Sequence, residues 1–165
     1  MSNERITLER TYKASIDDVW ELWTTKEGIE SWWGPEGFRV EVHAIDLRAG
    51  GKLTYAMIAA AAPQIEFMKQ HGMPLVTEAQ ITYTEVSPKT RLAYDHLADF
   101  IPGVEAYSVI HTVELFPKAG EVRMLLTIDR MHNEEWTNRA VMGWESELGK
   151  LDNVLISRAN RSRHD

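Results

Sequence analysis

The sequence predicts an α+β fold, in which a curved antiparallel sheet of about six to seven strands wraps around one long C-terminal helix. From Phe38 to Met131, apolar and polar residues alternate in successive short runs, which is the period of strands with one buried face. Short turns separate several of these runs, so we expect neighbouring strands to be antiparallel. The chain then ends in a long segment of helical periodicity, the only segment long enough to cover the apolar face of such a sheet.

One strand and two short helices are predicted before this sheet. In ERITLERTYKAS, Ile6, Leu8 and Tyr12 share one side, which is typical of a strand. Ser15 can cap the next segment, SIDDVWELWTT, whose apolar residues recur at helical spacing. A second short helix is predicted in KEGIESWW, and the Gly-Pro pair that follows stops it.

Residues 59–74 interrupt the alternating runs with a segment that is too long for a hairpin loop. Its central part, PQIEFMKQHG, begins with proline and ends with glycine, as short helices commonly do. We therefore expect a small helical insertion near residues 62–72, between two strands of the sheet.

The long C-terminal helix is predicted in NEEWTNRAVMGWESELGKLDNVLISRAN. At about 100° per residue, its apolar stripe comprises Thr137, Ala140, Trp144, Leu148, Leu151 and Leu155. One helix cannot fill a wide concave sheet, so the gap between them is a natural apolar pocket. The sequence contains no internal repeat and no linker, and residues 1–165 are therefore expected to form a single domain.

Composition narrows the possible functions. The 165 residues carry a formal net charge of −7 and include no cysteine. An acidic surface repels phosphate backbones, so nucleic acid is not an expected partner. The lack of cysteine excludes disulfides, thiolate metal sites and a cysteine nucleophile. The polar N-terminus and the absence of any run of about 18 apolar residues predict a cytoplasmic protein without membrane insertion.

Five motifs, taken together with the order of elements, carry a resemblance to known proteins. They are KASIDDVWELWT, SWWGPEGF, DLRAGG, EVSPKTRLAY and GWESELGKLDNVL. The order of elements resembles the helix-grip (SRPBCC) fold shared by START lipid-transfer domains, birch-pollen-allergen proteins and polyketide cyclases. The motifs are similar to those of bacterial proteins related to the C-terminal domain of the activator of heat-shock-protein-90 ATPase. The resemblance extends from Ile6 to about Leu155 and implies the fold. It does not imply one particular function, because this fold serves many functions.

The sequence contains no strong catalytic signature: neither HExxH, a P-loop, GxSxG nor a glycine-rich dinucleotide motif occurs. His96 and His111 share strand faces with apolar residues and are the weak candidates for a general base or a ligand contact. The alternative is that each is a core or rim histidine with one satisfied hydrogen bond. We predict no metal site and no cofactor.

Aromatic, methionine and histidine residues on the faces expected to be concave are the candidates for the pocket lining. Tyrosines would place hydroxyl groups in an apolar pocket, and methionines would form an adaptable wall. Core packing or a rim position is the alternative for each. The predicted ligand-binding residues are Trp33, Tyr55, Met57, Met68, Met73, Tyr83, Tyr94, His96, His111, Met124, Trp136 and Trp144.

The adjacent tryptophans of ESWWGPEG receive separate predictions. Neighbouring residues of a helix point about 100° apart, so we expect one tryptophan in the core and the other at the pocket entrance or in solvent. Trp33 is predicted to be the inner one, because the turn at Gly34-Pro35 pins its backbone.

Three functions remain open at this level. The first is binding of a small hydrophobic ligand in the apolar pocket, with the insertion helix as lid or wall. The second is a cyclase-like or hydratase-like enzyme in which His96 or His111 is the base. The third, implied by the resemblance, is a chaperone-associated interaction module. An edge strand and the exposed Met142 would also permit a homodimer.

Overall fold

A computed structural model describes residues 5–99, 101 and 103–164, without the side chains of 162–164. The elements, in chain order, are β1 Ile6–Tyr12, α1 Ile16–Thr24, α2 Lys26–Glu30, β2 Phe38–Ile45, β3 Lys52–Ala59, α3 Ala62–Gln70, β4 Val76–Ser87, β5 Arg91–Ala98, β6 Tyr107–Lys118, β7 Glu121–Ile128 and α4 Glu134–His164. The predicted first strand, short helices, insertion helix and long C-terminal helix are all present, and α3 lies within the predicted range.

The seven strands form one antiparallel, open and curved sheet in the order β1-β7-β6-β5-β4-β3-β2. Strands β2 to β7 follow one another as a meander, and β1 pairs with β7 to complete the other edge. The prediction of a helix-grip fold is therefore confirmed. Within the described part of the chain, no helix combines the length and the apolar character that crossing a bilayer requires.

The apolar stripe of α4 faces the concave side of the sheet, as its periodicity predicts. The stripe residues Thr137, Trp144, Leu148, Leu151 and Leu155 are buried, and Ala140 is partly buried. The four larger members belong to the main core cluster, together with inward-facing residues of the strands. On the opposite side of α4, Met142 is 70% exposed, so the two faces of this helix differ as an amphipathic helix requires.

The two short helices cover one end of the sheet and one of its edges. The Ser15 hydroxyl accepts a hydrogen bond from the Asp18 amide at 3.1 Å and caps α1, as predicted. From α2, Glu30 accepts the amide of Val42 at 2.8 Å, and Lys26 donates to the Val42 carbonyl at 3.2 Å. These side chains occupy backbone groups of the edge strand β2, which limits its pairing with another chain at that point.

The alternation in β2 is broken after Val42. A β-bulge shifts the register between Val42 and Ala44, so Ala44 is exposed and Ile45 packs against the core instead. The prediction that Ala44 shares the inner face with Val40 and Val42 is therefore wrong, because one extra residue reverses the direction of every side chain after it.

The insertion docks on the segment that follows the tryptophan pair. The amides of Ala60 and Ala61 donate to the Gly37 carbonyl at 2.9 and 3.0 Å. Gly37 has a φ of +90°, and a Cβ atom there would lie 2.1 Å from the side chain of Gln64 on α3. The backbone conformation therefore favours glycine at this position, and a side chain there would displace the flexible end of Gln64.

Candidate functional site

Adjacent strands place three of the predicted site residues in one row on the concave face. In the antiparallel register, Tyr83 of β4 lies opposite Tyr94 of β5, and Tyr94 lies opposite His111 of β6. All three residues are buried. The rings of Tyr94 and His111 are stacked, with centroids 4.9 Å apart and planes inclined by 10°. Strand parity therefore identified side chains that do come together.

Aromatic residues from other elements meet this row. The Trp33 ring lies 5.4 Å from Tyr55 and 6.2 Å from Tyr94, and the Trp144 ring of α4 lies 5.6 Å from His111. Trp33 and Trp144 are themselves 6.2 Å apart. We call the set comprising Trp33, Tyr55, Tyr83, Tyr94, His111 and Trp144 the inner cluster.

Three polar atoms of the inner cluster are buried without a hydrogen-bond partner among the described residues: Trp33 Nε1, Tyr83 OH and Tyr94 OH. The large majority of buried polar side-chain groups in native proteins are paired, and leaving one unpaired costs about 1–3 kcal/mol. Burial also raises the pKa of Tyr83 and Tyr94 above the usual tyrosine value, so both hydroxyls keep their protons. The inner cluster therefore offers unused hydrogen-bond donors in an apolar setting.

His111 is buried and uses both of its ring nitrogens. Its Nε2 accepts a hydrogen bond from Trp144 Nε1 at 3.2 Å, and its Nδ1 lies 3.1 Å from the Val109 carbonyl, which requires the proton to be on Nδ1. Burial, assisted by the neighbouring His96, lowers the pKa of His111 to about 3. The imidazole is neutral and fully engaged, and this geometry argues against His111 as a general base.

His96 lies next to His111, with ring centroids 5.8 Å apart. It is partly buried, and burial lowers its pKa. In the pairing of β5 with β6, His96 lies opposite Val109. Val109 belongs to a second, smaller apolar cluster with Ala98 and Ile101. Trp136, predicted as a pocket residue, packs against that second cluster. His96 therefore lies between the two clusters.

The four methionines do not form one wall. Met124 is fully buried and accepts a hydrogen bond from Trp23 Nε1 at 3.3 Å, whereas Met57 is partly buried against the main core. Met68 is the one buried residue of α3. Met73 is 47% exposed, so it does not pack in the interior with Met68. It follows the turn at Gly72, where φ is +64°, beyond the end of the helix that packs Met68 inward.

Both tryptophans of the pair are buried, which corrects the expectation that one would reach the entrance or solvent. Trp33 is 4% exposed and Trp32 is 0% exposed. Because α2 ends at Glu30, both residues lie in the turn after the helix and not on a regular helical surface. Trp32 packs 4.7 Å from the Trp23 ring and donates to the Leu22 carbonyl at 2.8 Å. Trp33 belongs to the inner cluster, and its Nε1 has no hydrogen-bond partner in the described part of the chain.

A carboxylate that the sequence did not single out joins this region to α4. Glu147 Oε1 accepts the Gly34 amide at 2.6 Å. Burial raises the pKa of Glu147 to about 7. Burial also raises the pKa values of Tyr55 and Tyr94, and the nearby Glu147 adds to this effect. Glu147 is therefore close enough to influence the inner cluster electrostatically.

Two further side chains of α4 hold the same turn. Lys150 Nζ donates to the carbonyls of Gly34 at 2.8 Å, Phe38 at 3.3 Å and Trp33 at 3.4 Å. The Ser146 hydroxyl accepts the Glu36 amide at 2.9 Å. Ser146 and Lys150 lie outside the apolar stripe predicted for α4. The sequence indicated these contacts only through the Gly-Pro turn. The backbone amide and carbonyl groups of such a turn need hydrogen-bond partners.

Comparison with known proteins agrees with this architecture. The family model described as "Activator of Hsp90 ATPase homolog 1-like protein" matches residues 13–155. A search of the curated proteins found no significant match.

Solved bacterial structures share the fold. A protein from Chromobacterium violaceum has a TM-score of 0.73 at 20% identity, with 92% of this chain and 97% of that chain covered. A protein from Arthrobacter aurescens gives 0.73 at 22% identity, covering 94% and 87%. A protein from Silicibacter pomeroyi gives 0.72 at 18% identity, covering 94% and 99%. At these identities the similarity establishes the fold alone, whereas the match of the family model spans most of the sequence. The chain belongs to the family of proteins similar to activator of Hsp90 ATPase homolog 1.

Proposed function

We propose that this protein binds a small hydrophobic ligand between the concave face of the sheet and α4. The observation that carries the proposal is the presence of Trp33 Nε1, Tyr83 OH and Tyr94 OH, buried and unpaired among the described residues, within one aromatic cluster. Proteins of this fold commonly bind hydrophobic ligands, which supports the same reading.

Energetics favour a ligand over a purely structural role for these side chains. Phenylalanine would fill nearly the same space as Tyr83 or Tyr94 without burying an unpaired hydroxyl, and would avoid a penalty of about 1–3 kcal/mol for each. A ligand bearing hydrogen-bonding groups would pair these atoms and bury its apolar surface against aromatic rings. Ligand sites have this composition, with many apolar groups and a few polar atoms directed inward.

The enzyme alternative receives less support from this site. A general base needs a nitrogen that can reach a substrate proton. Both nitrogens of His111 are bonded within the protein, to Trp144 and Val109. We therefore propose binding, with His111 as part of the wall that supports Tyr94.

The proposal is tested by thermal unfolding in the presence of neutral aromatic compounds, sterols and fatty acids. A ligand that binds only the native state raises Tm, and at 100 times its Kd it adds about 2.7 kcal/mol. The site is then located by repeating the titration with Tyr94→Trp, which places a larger ring in the inner cluster, and with Met142→Trp on the exposed face of α4.

We expect the Tyr94→Trp protein to lose the Tm increase and the Met142→Trp protein to retain it. An equal Tm increase in both variants would place the ligand elsewhere and would contradict the proposal. Circular dichroism of each variant without ligand verifies that the fold is retained.

A further inference from the structure

We propose that the turn at residues 33–38 and the insertion helix α3 open together as one unit, which we call the strap, and that this unit opens more often as pH rises. Three side chains of α4, those of Ser146, Glu147 and Lys150, fasten the strap to the body of the protein, and we call them the clasp. The strap opens in this way whether or not the interior binds a ligand.

The clasp pairs the polar backbone groups of the turn. Glu147 and Ser146 accept the amides of Gly34 and Glu36 at 2.6 and 2.9 Å. Lys150 donates to three carbonyls, which are those of Trp33, Gly34 and Phe38. Backbone groups removed from water need partners, so the turn keeps its place as long as these α4 side chains hold it.

The helix α3 is attached through the same turn. The two residues that precede α3 donate their amides to the Gly37 carbonyl, and Gln64 Nε2 donates to the Glu36 carbonyl at 3.3 Å. Among its nine residues α3 buries Met68, and its N-cap residue makes no side-chain hydrogen bond. A helix this short is marginal without packing, so α3 should unwind when the turn leaves α4.

Glu147 is the member of the clasp that titrates near neutral pH. Burial raises its pKa to about 7, against the opposing effects of the Gly34 amide and of Lys150 on the same helix. From the sheet it faces Tyr55 and Tyr94, whose pKa values burial raises, so both keep their protons. From the turn, the charge of Glu36 acts on Lys150, and that ammonium group gives its three protons to the three carbonyls.

The direction of the pH effect follows from the state of Glu147 in the open strap. There the carboxyl group is hydrated and its pKa returns towards 4.5, so opening releases a proton between this value and the closed-state value of about 7. The open population therefore rises with pH by at most about tenfold per unit in this window, and levels off above it. Opening also takes the Trp33 carbonyl away from Lys150, which loosens that side of the inner cluster.

Native-state hydrogen exchange, followed by mass spectrometry between about pH 5 and 8, tests the strap. Each rate is divided by that of the unfolded chain at the same pH, because intrinsic exchange itself accelerates with pH. Peptides from the turn and from α3 should share one opening equilibrium, more populated than that of β6 and β7 and rising with pH. Glu147→Gln keeps an acceptor for the Gly34 amide and should abolish the pH dependence, whereas Glu145→Gln, on the exposed side of α4, should retain it.

Two further variants test the order of attachment. Ser146→Ala removes the acceptor of the Glu36 amide, and should raise the open population of the turn and of α3 about fivefold at every pH. Gln64→Ala cuts α3 from the turn and leaves the clasp intact. It should raise exchange in α3 and leave the turn unchanged.

Three results would overturn the strap. In the first, Ser146→Ala accelerates exchange of the turn while α3 keeps its wild-type protection, which would make them separate units. In the second, β6 and β7 exchange as readily as α3 in the wild type or respond equally to Ser146→Ala, so that the opening is global. In the third, the pH dependence persists in Glu147→Gln, and another group controls the clasp.

Discussion

Two aromatic regions lie side by side in the interior and differ in how their polar atoms are satisfied. In the first, which we call the closed core, Trp23 Nε1 donates to Met124 and Trp32 Nε1 donates to the Leu22 carbonyl. In the inner cluster, Trp33 Nε1 and two tyrosine hydroxyls remain unpaired among the described residues. The two regions have similar burial and similar residue types. These indole and hydroxyl groups differ between the two regions in hydrogen bonding, and not in hydrophobicity.

The largest expected effect is in the closed core. Trp32→Ala removes a fully buried ring and leaves the Leu22 carbonyl without its partner, and should lower the free energy of unfolding by about 3–5 kcal/mol. Urea denaturation measures the change. The same measurement on Trp32→Phe and Trp33→Phe compares the two regions directly. Trp32→Phe should cost more than Trp33→Phe, because only Trp32 loses a hydrogen bond. An equal cost in this pair would remove the distinction between the two regions.

The next effect concerns pH. The pKa of Glu147 is raised from 4.5 to about 7 in the folded protein, so the native state binds more protons than the unfolded state between these values. Glu147 therefore lowers stability as pH rises from about 4.5 to 7, by at most about 1.4 kcal/mol per pH unit. Glu147→Gln should remove this slope in urea denaturation curves measured across the window, and the exposed Glu145→Gln should not. An unchanged slope in Glu147→Gln would show that Glu147 is solvated.

His111 has the opposite effect on the pH dependence of stability. Its pKa is lowered from 6.5 to about 3, so the unfolded state binds the proton more readily and stability falls as pH decreases below 6.5. His111→Gln should give a shallower loss of stability in acid, as followed by circular dichroism. The His43→Gln variant changes an exposed histidine and serves as control. If His111→Gln showed the wild-type acid dependence, the imidazole would be protonated in the native state.

A smaller effect is expected from removing an unpaired hydroxyl. Tyr94→Phe should leave the ligand-free protein unchanged or more stable by up to about 1 kcal/mol, since no described partner is lost. Differential scanning calorimetry measures the shift in Tm. Destabilisation of about 1 kcal/mol or more would mean that the Tyr94 hydroxyl is paired, and the contrast with the closed core would then disappear.

The smallest effect is expected at Met73. Because its side chain is 47% exposed, Met73→Ser should change the free energy of unfolding by less than about 0.5 kcal/mol. The same substitution at the buried Met68 should be clearly destabilising. A large loss at Met73 would show that this side chain packs against the core despite its exposure.

Particular residues show why prediction succeeded for the fold and only partly for the site. Strand parity placed Tyr94 and His111 on one face, and the register then brought their rings into a stack, because period-2 alternation survives in a regular strand. The same rule failed at Ala44, where a bulge changes the phase. Helical geometry predicted that Trp32 and Trp33 would point in different directions, one inward and one outward. The helix ends before these residues, so helical geometry does not apply to them.

The sequence by itself determined the order of elements, the inward faces of most strands and the apolar stripe of α4, because these follow from the spacing of residues close together in the chain. The tertiary structure alone decided which polar atoms find partners. Glu147 bonds the Gly34 amide across 113 positions, and Trp144 bonds His111 across 33. Such pairing depends on how distant segments meet, and the three polar atoms that it leaves unpaired among the described residues distinguish the inner cluster from the closed core.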